Sequence, residues 1–304
     1  MATTARTDRT TVRTSESPRL RPLARARDVW AYREILTNLV RKDLKVKYTQ
    51  SILGVAWSML NPILYLAIFS FVFTFVLKSD IPAFPVYLLS GIIAWTMFSG
   101  SLTLAVKSVV DNTSLVKKVY FPKEILPLSS VGTSFVDFIL QTIVLLIVMI
   151  AFAYPFLGLN VLLFPLALVA LITFTVAISL FVAALNVRYR DTQHLLANAL
   201  LVWFWFTPLV YPAGFLQKTL SDVGGINLFP VYMVLNPLAD IVFGFQRAFY
   251  AEVQPPGAPN PILIDMSIGG LALLQVGVIV GSLLLLWFTW RVFFNRSADF
   301  AEEL

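Results

Sequence analysis

The sequence predicts an all-α integral membrane protein with six transmembrane helices, and two observations carry that prediction. Of the 304 residues, 58% are hydrophobic and only 13% are charged, whereas about 25% are charged in typical soluble domains. The apolar residues are gathered into runs close to the ~20 residues that a helix needs to cross a bilayer. The chain contains no cysteine, which excludes disulfides and thiolate metal sites.

The six predicted spans make up a transmembrane domain over residues 52–294. We place them at about residues 53–77, 84–106, 128–154, 161–186, 195–216 and 267–294. Residues 1–28 are rich in Arg, Thr and Ala and predict a disordered cytosolic tail. Residues 295–304 predict a short cytosolic tail at the other end.

The distribution of basic residues predicts the orientation. With a cytosolic N-terminus, all but three of the 23 Lys and Arg residues lie in cytosolic segments, and the three are Lys78, Lys218 and Arg247. This asymmetry follows the positive-inside rule. We therefore expect a multi-pass protein of the cytoplasmic (inner) membrane with both termini in the cytosol. The net charge of +6 is accounted for by these loops and does not indicate nucleic-acid binding.

Residues 29–51 predict an amphipathic interfacial helix that lies along the cytosolic leaflet, in contact with membrane lipids. One half of the helical wheel is apolar, and Arg41, Lys42 and Lys45 lie opposite. Asp43 falls inside the apolar half. Lys47, one turn further on, is the expected ion-pair partner of Asp43.

Residues 217–266 allow two interpretations. Residues 226–250 are apolar enough for a seventh span, which would place the C-terminus outside. However, Asp240 and Arg247 would then lie inside the membrane, at a cost of about 2.5–3.5 kcal/mol each. We favour two short re-entrant helices on the extracytoplasmic side. Asn236 would cap the second helix and Pro237 would be its first residue.

The segment 115–127 combines apolar and aromatic residues with three lysines between two spans. Tyr120 and Phe121 offer apolar area to a partner, Lys117 and Lys118 add charge, and Pro122 is expected to end the helix. The segment is therefore predicted to be bound by a partner protein outside the membrane. The alternative is a surface helix whose lysines contact anionic lipid headgroups.

The energy source is predicted to lie outside this chain. No glycine is followed by lysine, so the phosphate-binding loop of P-loop ATPases is absent. Inside the spans, Asp137 and Gln141 lie on one face of the third helix, one turn apart. They could form a proton relay or a buried pairing that locks helices together.

Aromatic residues in the spans also have two interpretations. Trp and Tyr near span ends ordinarily form an interfacial belt. Alternatively, they could line a channel and stack on sugar rings. The channel candidates are Trp57, Trp95, Phe98, Trp203 and Tyr211.

A membrane-embedded glycosyltransferase is the competing class of function. His194 is the sole histidine and the carboxylates are scattered singly, so the sequence predicts no catalytic, cofactor or metal site.

Several segments together resemble the permease subunit of ABC-2-type exporters of lipid-linked polysaccharides, O-antigens, galactans and teichoic acids. They are residues 39–48, 51–57 with Asn61-Pro62, 115–127, 186–191, 207–212 and Asn236-Pro237. The resemblance implies a homodimer around one channel, with two copies of a separate nucleotide-binding subunit that binds ATP and magnesium.

The resemblance also assigns roles to segments. It implies that residues 107–127 form a coupling helix and that residues 217–266 form gate helices. It also places residues 29–48 beside the nucleotide-binding subunit. The implied substrate is a polysaccharide, carried on polyprenyl diphosphate, or a polyol-phosphate polymer. A permease for a drug or a small lipid is the alternative within this class.

Overall fold

The computed structural model describes residues 22–49, 54, 56–76, 81–154, 158–251, 253–254, 261–297 and 300–303. Regular structure in these ranges is helical, apart from a single antiparallel bridge between Val223 and Ile226. The helices of the first half are α1 (Pro22–Ala31), α2 (Arg33–Tyr48), α3 (Ala56–Ser70), α4 (Phe84–Asp111), α5 (Thr113–Lys118) and α6 (Ile125–Ala151). Those of the second half are α7 (Leu163–Arg188), α8 (Thr192–Phe206), α9 (Ala213–Ser221), α10 (Phe229–Leu235), α11 (Pro237–Phe249), α12 (Ile268–Arg296) and α13 (Phe300–Glu303).

Four helices of the described residues, α4, α6, α7 and α12, are long and apolar enough to cross a membrane. They correspond to the second, third, fourth and sixth predicted spans, with ends that differ by a few residues. Helix α4 is buried along most of its length and packs against α6, α7 and α11. Helix α12 packs on α7 and exposes a row of Leu, Val and aromatic side chains, as expected of a surface that faces lipid.

The first and fifth predicted spans differ from single long α-helices. Helix α3 contains Pro62 and continues as a π-helix over Phe71–Val76. Residues 53, 55 and 77 of the predicted span lie outside the described ranges. Helix α8 ends at Phe206, so the predicted span over 195–216 is not a single helix. The cause is Pro208, which lacks an N–H and disfavours helical geometry at Thr207. Thr207 is extended (φ −100°, ψ 129°).

Residues 226–250 are divided into α10 and α11 and do not form one long helix. The division falls at Asn236, whose side chain accepts a hydrogen bond from the Ala239 amide at 3.2 Å, with Pro237 as the first helical residue. This confirms the predicted cap. Helix α11 is buried against α4, α7 and α12.

The second N-terminal helix, α2, lies against α6. Helix α2 packs on α6 so closely that a Cβ added at Gly132 would lie 2.9 Å from a methyl group of Val40. The predicted disordered tail is corrected in part, because residues 22–28 belong to α1. The remainder of that tail lies outside the described residues. At the other end, α12 extends into the predicted C-terminal tail, and α13 lies within it.

Candidate functional site: a polar groove and its cytosolic support

A groove of about 940 Å³ lies between α2, α3, α4 and α6. On α4 its lining runs from Thr96 to Asp111, a length of about 22 Å at 1.5 Å per residue. Thr103, Leu104 and Leu64 are exposed, so the groove opens onto the surface of the chain. Its wall is rich in small hydroxyl residues: Ser58, Thr96, Ser99, Thr103, Ser108, Ser129, Ser130, Thr133 and Ser134.

These hydroxyls present mainly acceptor oxygens to the groove. Ser99 and Thr103 donate to carbonyl oxygens of α4 at 2.8 Å, and Ser129 and Thr133 donate to carbonyl oxygens of α6 at 2.8 and 3.0 Å. A hydroxyl has one proton to donate and two lone pairs that accept. Because the proton is used within the helix, the lone pairs remain for another molecule.

A network of polar contacts at one wall joins α2 to α3 and α6. Lys47 Nζ lies 2.7 Å from Asp137 Oδ2 and donates to Ser58 Oγ at 3.0 Å. The Tyr48 hydroxyl and the Ser58 hydroxyl both donate to Asp137 Oδ1, at 2.9 and 2.7 Å. Of the two interpretations of Asp137, these contacts support the pairing that locks helices. Gln141 Oε1 accepts a hydrogen bond from Thr96, which ties α6 to α4.

The predicted Asp43–Lys47 pair is wrong, since Lys47 reaches Asp137 on α6. Asp43 instead lies 3.7 Å from Lys42 Nζ. Lys42 also donates to Asn112 Oδ1 at 3.1 Å, at the end of α4. Arg41 and Lys45 are exposed on the side of α2 that does not line the groove.

The aromatic channel candidates occupy three kinds of position. Trp95 and Phe98 are 5% and 0% exposed and pack against Phe174, Trp203 and Phe204 in the core. Among the described residues both side chains are therefore enclosed, which does not support the interpretation that they line an open path. The core position follows from the burial of α4 on nearly all sides.

The other three candidates lie outside that buried pair. Trp203 is partly buried and donates from Nε1 to Asn236 Oδ1 at 2.8 Å. The Tyr211 hydroxyl donates to the Trp205 carbonyl oxygen at 3.1 Å. Trp57 is exposed on α3. The structure therefore does not bring the five candidates together into one wall.

The predicted partner-binding segment has one buried and one exposed aromatic residue. Tyr120 is 91% exposed, whereas Phe121 is 5% exposed and packs in a cluster with Leu39, Phe293 and Phe300. Lys117 and Lys118 are exposed at the end of α5. Helix α5 ends at Lys118, so the expectation that Pro122 ends it is corrected. Pro122 instead lies buried in the turn that leads to α6.

Glu124, in the turn before α6, forms a contact that the sequence analysis missed. Its side chain is buried and accepts two hydrogen bonds from Arg25, Nε–Oε1 at 2.9 Å and Nη2–Oε2 at 3.0 Å. Trp290 Nε1 of α12 also donates to Oε1, at 3.2 Å. Burial acts to lower the pKa of Arg25, but the hydrogen bonds and charge of Glu124 raise it above its usual value. The partners are 99 and 166 residues away in sequence, so no local pattern marks them.

Asp240 and Arg247 both lie on α11, with no ion pair between them among the contacts of the described residues. Asp240 is 3% exposed. Its Oδ1 atom and the Nε and Nη1 atoms of Arg247 are buried without a hydrogen-bond partner in the described part of the chain. Within the same residues, no cluster of three His, Asp or Glu side chains could hold a metal ion.

Comparison with known proteins agrees with this architecture. The family described as "ABC-2 type transporter" matches residues 35–243. The O-antigen export system permease protein RfbA of Myxococcus xanthus is 33% identical over 279 residues, which are 91% of this chain and 98% of that protein. A protein of the same name from Klebsiella pneumoniae is 30% identical over 221 residues, which are 71% of this chain and 80% of that protein. From the family match, the full-length similarity and the bundle of long apolar helices, we conclude that this chain belongs to the ABC-2 type transporter family of membrane proteins.

Proposed function

We propose that this chain is the channel-forming subunit of an ATP-driven exporter that moves a lipid-linked polysaccharide across the cytoplasmic membrane. ATP and magnesium are bound by a separate nucleotide-binding subunit, and this chain performs transport without catalysing a reaction. The family match and the two relatives named as O-antigen export permeases support this role. The single observation that carries the proposal is the hydroxyl-lined groove.

The groove suits a polymer that is rich in hydroxyl groups. Acceptor oxygens along about 22 Å of α4 and along the facing side of α6 match the O–H donors of sugar residues. Each contact is a neutral hydrogen bond that exchanges for one with water, so its net contribution is only about 0.5–1.5 kcal/mol. Such contacts let a chain slide past, because no single site holds it tightly.

The charges at the groove favour an uncharged glycan over a polyol-phosphate polymer. Three carboxylates, Asp43, Asp111 and Asp137, line it together with two amines, Lys42 and Lys47. Lys47 is already paired with Asp137. A polyanion would therefore meet at least as much repulsion as attraction.

We further propose a homodimer, two attached ATPase subunits and six spans with both termini in the cytosol. Helices α3 and α8 supply the first and fifth spans and the seam between protomers. Large apolar side chains are exposed on both, such as Phe71 and Phe75 on the π-helix that continues α3 and Val202 and Trp205 on α8. Helices α9, α10 and α11 serve as short re-entrant gate helices on the extracytoplasmic side.

The ATPase subunit docks on α5 and the turn that follows it, which together form the coupling helix. Tyr120 is exposed next to Lys117 and Lys118. An exposed tyrosine beside two cations offers both apolar area and charge to a partner. Arg41 and Lys45 of α2 face lipid headgroups or the same partner.

Blocking the groove tests the proposal. Ser99→Trp places a large side chain in the groove, and Ile147→Trp places one on the exposed face of α6, where Ile147 is 55% exposed. We expect Ser99→Trp to leave polymer inside the cell while assembly with the ATPase persists, and Ile147→Trp to export normally. Normal surface polysaccharide with Ser99→Trp would contradict the assignment of the groove.

A further inference from the structure

Glu124 joins three elements that are far apart in the chain. It precedes α6 directly. Its carboxylate accepts hydrogen bonds from Nε and Nη2 of Arg25 on α1 and from Nε1 of Trp290 on α12. The residue is 0% exposed. A buried carboxylate is costly unless it is paired and hydrogen-bonded, and here three donors satisfy it.

The geometry of this contact fixes the orientation of the two side chains as well as the distance between them. A bidentate arginine–carboxylate pair aligns two parallel hydrogen bonds and so restricts rotation of both side chains. The Arg25 guanidinium also lies over the ring of Phe294 at 5.0 Å, one turn beyond Trp290 on α12. Helix α1 is therefore fixed to α12 and to the start of α6 at one point.

The residues just before Glu124 are also anchored to the C-terminal helices α12 and α13. Phe121 packs against Phe293 and Phe300, and those two rings meet edge to face at 5.3 Å. Lys123 Nζ donates to the Ser297 carbonyl oxygen at the end of α12. Tyr120, directly before these anchored side chains, points outward and is 91% exposed.

From these contacts we propose that Glu124 is a positioning residue that transmits movement of the docked ATPase from residues 119–124 to α12 and α1 as well as to α6. The proposal rests on the proposed function, because it requires an ATPase docked at Tyr120. Displacement of the turn would reach α6 through the chain itself and α12 through the Glu124 carboxylate. Helix α12 packs extensively on α7, so the movement would reach α7 as well as α6 and α12.

A variant that keeps the volume but removes the directed contact tests this role. Buried ion pairs can often be replaced by apolar residues of similar size without loss of stability, so Arg25→Met/Glu124→Leu is designed to stay folded. Trp290→Phe removes one donor and is the milder second variant. Arg27→Met, on the exposed side of α1, is the matched control.

The readout is the amount of polymer exported per ATP hydrolysed by the purified complex of this chain with its co-purifying ATPase, reconstituted in lipid vesicles. A contact that only stabilises the fold would lower export and ATP hydrolysis together. A contact that transmits movement would leave ATP hydrolysis in place and lower the ratio. We expect the ratio to fall about tenfold in the double variant, because a lost charge-assisted hydrogen bond corresponds to at least that factor in an equilibrium constant.

Each outcome is decisive. An unchanged ratio in a folded double variant overturns the role of Glu124, and so does an unchanged ratio in Trp290→Phe if the double variant fails to fold. If the wild-type complex shows no ATP-dependent export at all, the proposed function itself fails. A lowered ratio in the double variant, with a normal ratio in Arg27→Met, supports the inference.

Discussion

Substitution of Tyr120 and of Phe121 should have opposite effects, although the two residues are adjacent. Tyr120 is 91% exposed, so Tyr120→Ala removes almost no internal contact, and its effect on the free energy of unfolding should stay within about 0.5 kcal/mol. Phe121 is 5% exposed within a buried cluster. Phe121→Ala leaves a cavity and should destabilise the chain by about 3–5 kcal/mol.

Binding of the ATPase subunit should show the reverse order. An exposed aromatic anchor at an interface typically contributes about 2 kcal/mol or more when truncated, which corresponds to roughly thirtyfold weaker affinity. We therefore expect Tyr120→Ala to lose the ATPase on purification while its melting temperature in detergent stays unchanged. Phe121→Ala should melt at a lower temperature, and the fraction that remains folded should still bind.

The assay measures both quantities on the same preparations: thermal unfolding by intrinsic fluorescence, and binding by co-purification with titrated ATPase. Tyr120→Phe is the control, because it keeps the ring and removes only the hydroxyl. Normal ATPase binding by folded Tyr120→Ala would refute the docking surface at this turn. An unaltered melting temperature in Phe121→Ala would refute the structural role of Phe121.

Three further predictions concern the groove wall, the start of α9 and the topology. Asp137→Ala removes the acceptor that joins α2 to α3 and α6, and should lower stability by about 1–2 kcal/mol, since the site is partly exposed; thermal unfolding measures this. Gly214→Ala should lower the free energy of unfolding by about 1–3 kcal/mol. The added Cβ would lie 2.8 Å from the Leu263 carbonyl oxygen and would clash with the carbonyl oxygen of Pro261. At Gly277 an added Cβ meets nothing within 4 Å, so Gly277→Ala should be neutral or stabilising in the same assay. A cysteine at Gln254 should react with an impermeant thiol reagent from outside and one at Ala298 should not; labelling at 298 from outside would establish a C-terminus on the wrong side for six spans.

The sequence by itself determined which segments are apolar helices and where some of them begin. Hydrophobic runs, the position of Asn236-Pro237 and the proline at 208 are local properties, because a helix needs only its own residues to satisfy its backbone hydrogen bonds. The four long spans and the cap of α11 were predicted on that basis. The break after Phe206 has a local signal as well, since Thr207 precedes proline, but a proline inside an apolar span is also compatible with a tolerated kink.

Tertiary structure decided which faces of those helices meet. The wheel of α2 identified Lys47 and Asp43 as neighbours, yet Lys47 is long enough to reach Asp137, 90 residues away. Adjacent Tyr120 and Phe121 have the same chemical character, and only the position of α12 and α13 makes one buried and the other exposed. Trp95 and Phe98 became core residues because α4 is enclosed by α6, α7, α8 and α11.

The groove and the Glu124 contact share the same physical origin. Hydroxyls spread over α4 and α6 form a wall only when these two helices pack with those faces toward α3, and a lone glutamate becomes a junction only when α1 and α12 converge on it. Both depend on the relative placement of helices separated by tens of residues, to which hydrophobic periodicity is insensitive, because every helix in a membrane has an apolar surface to offer.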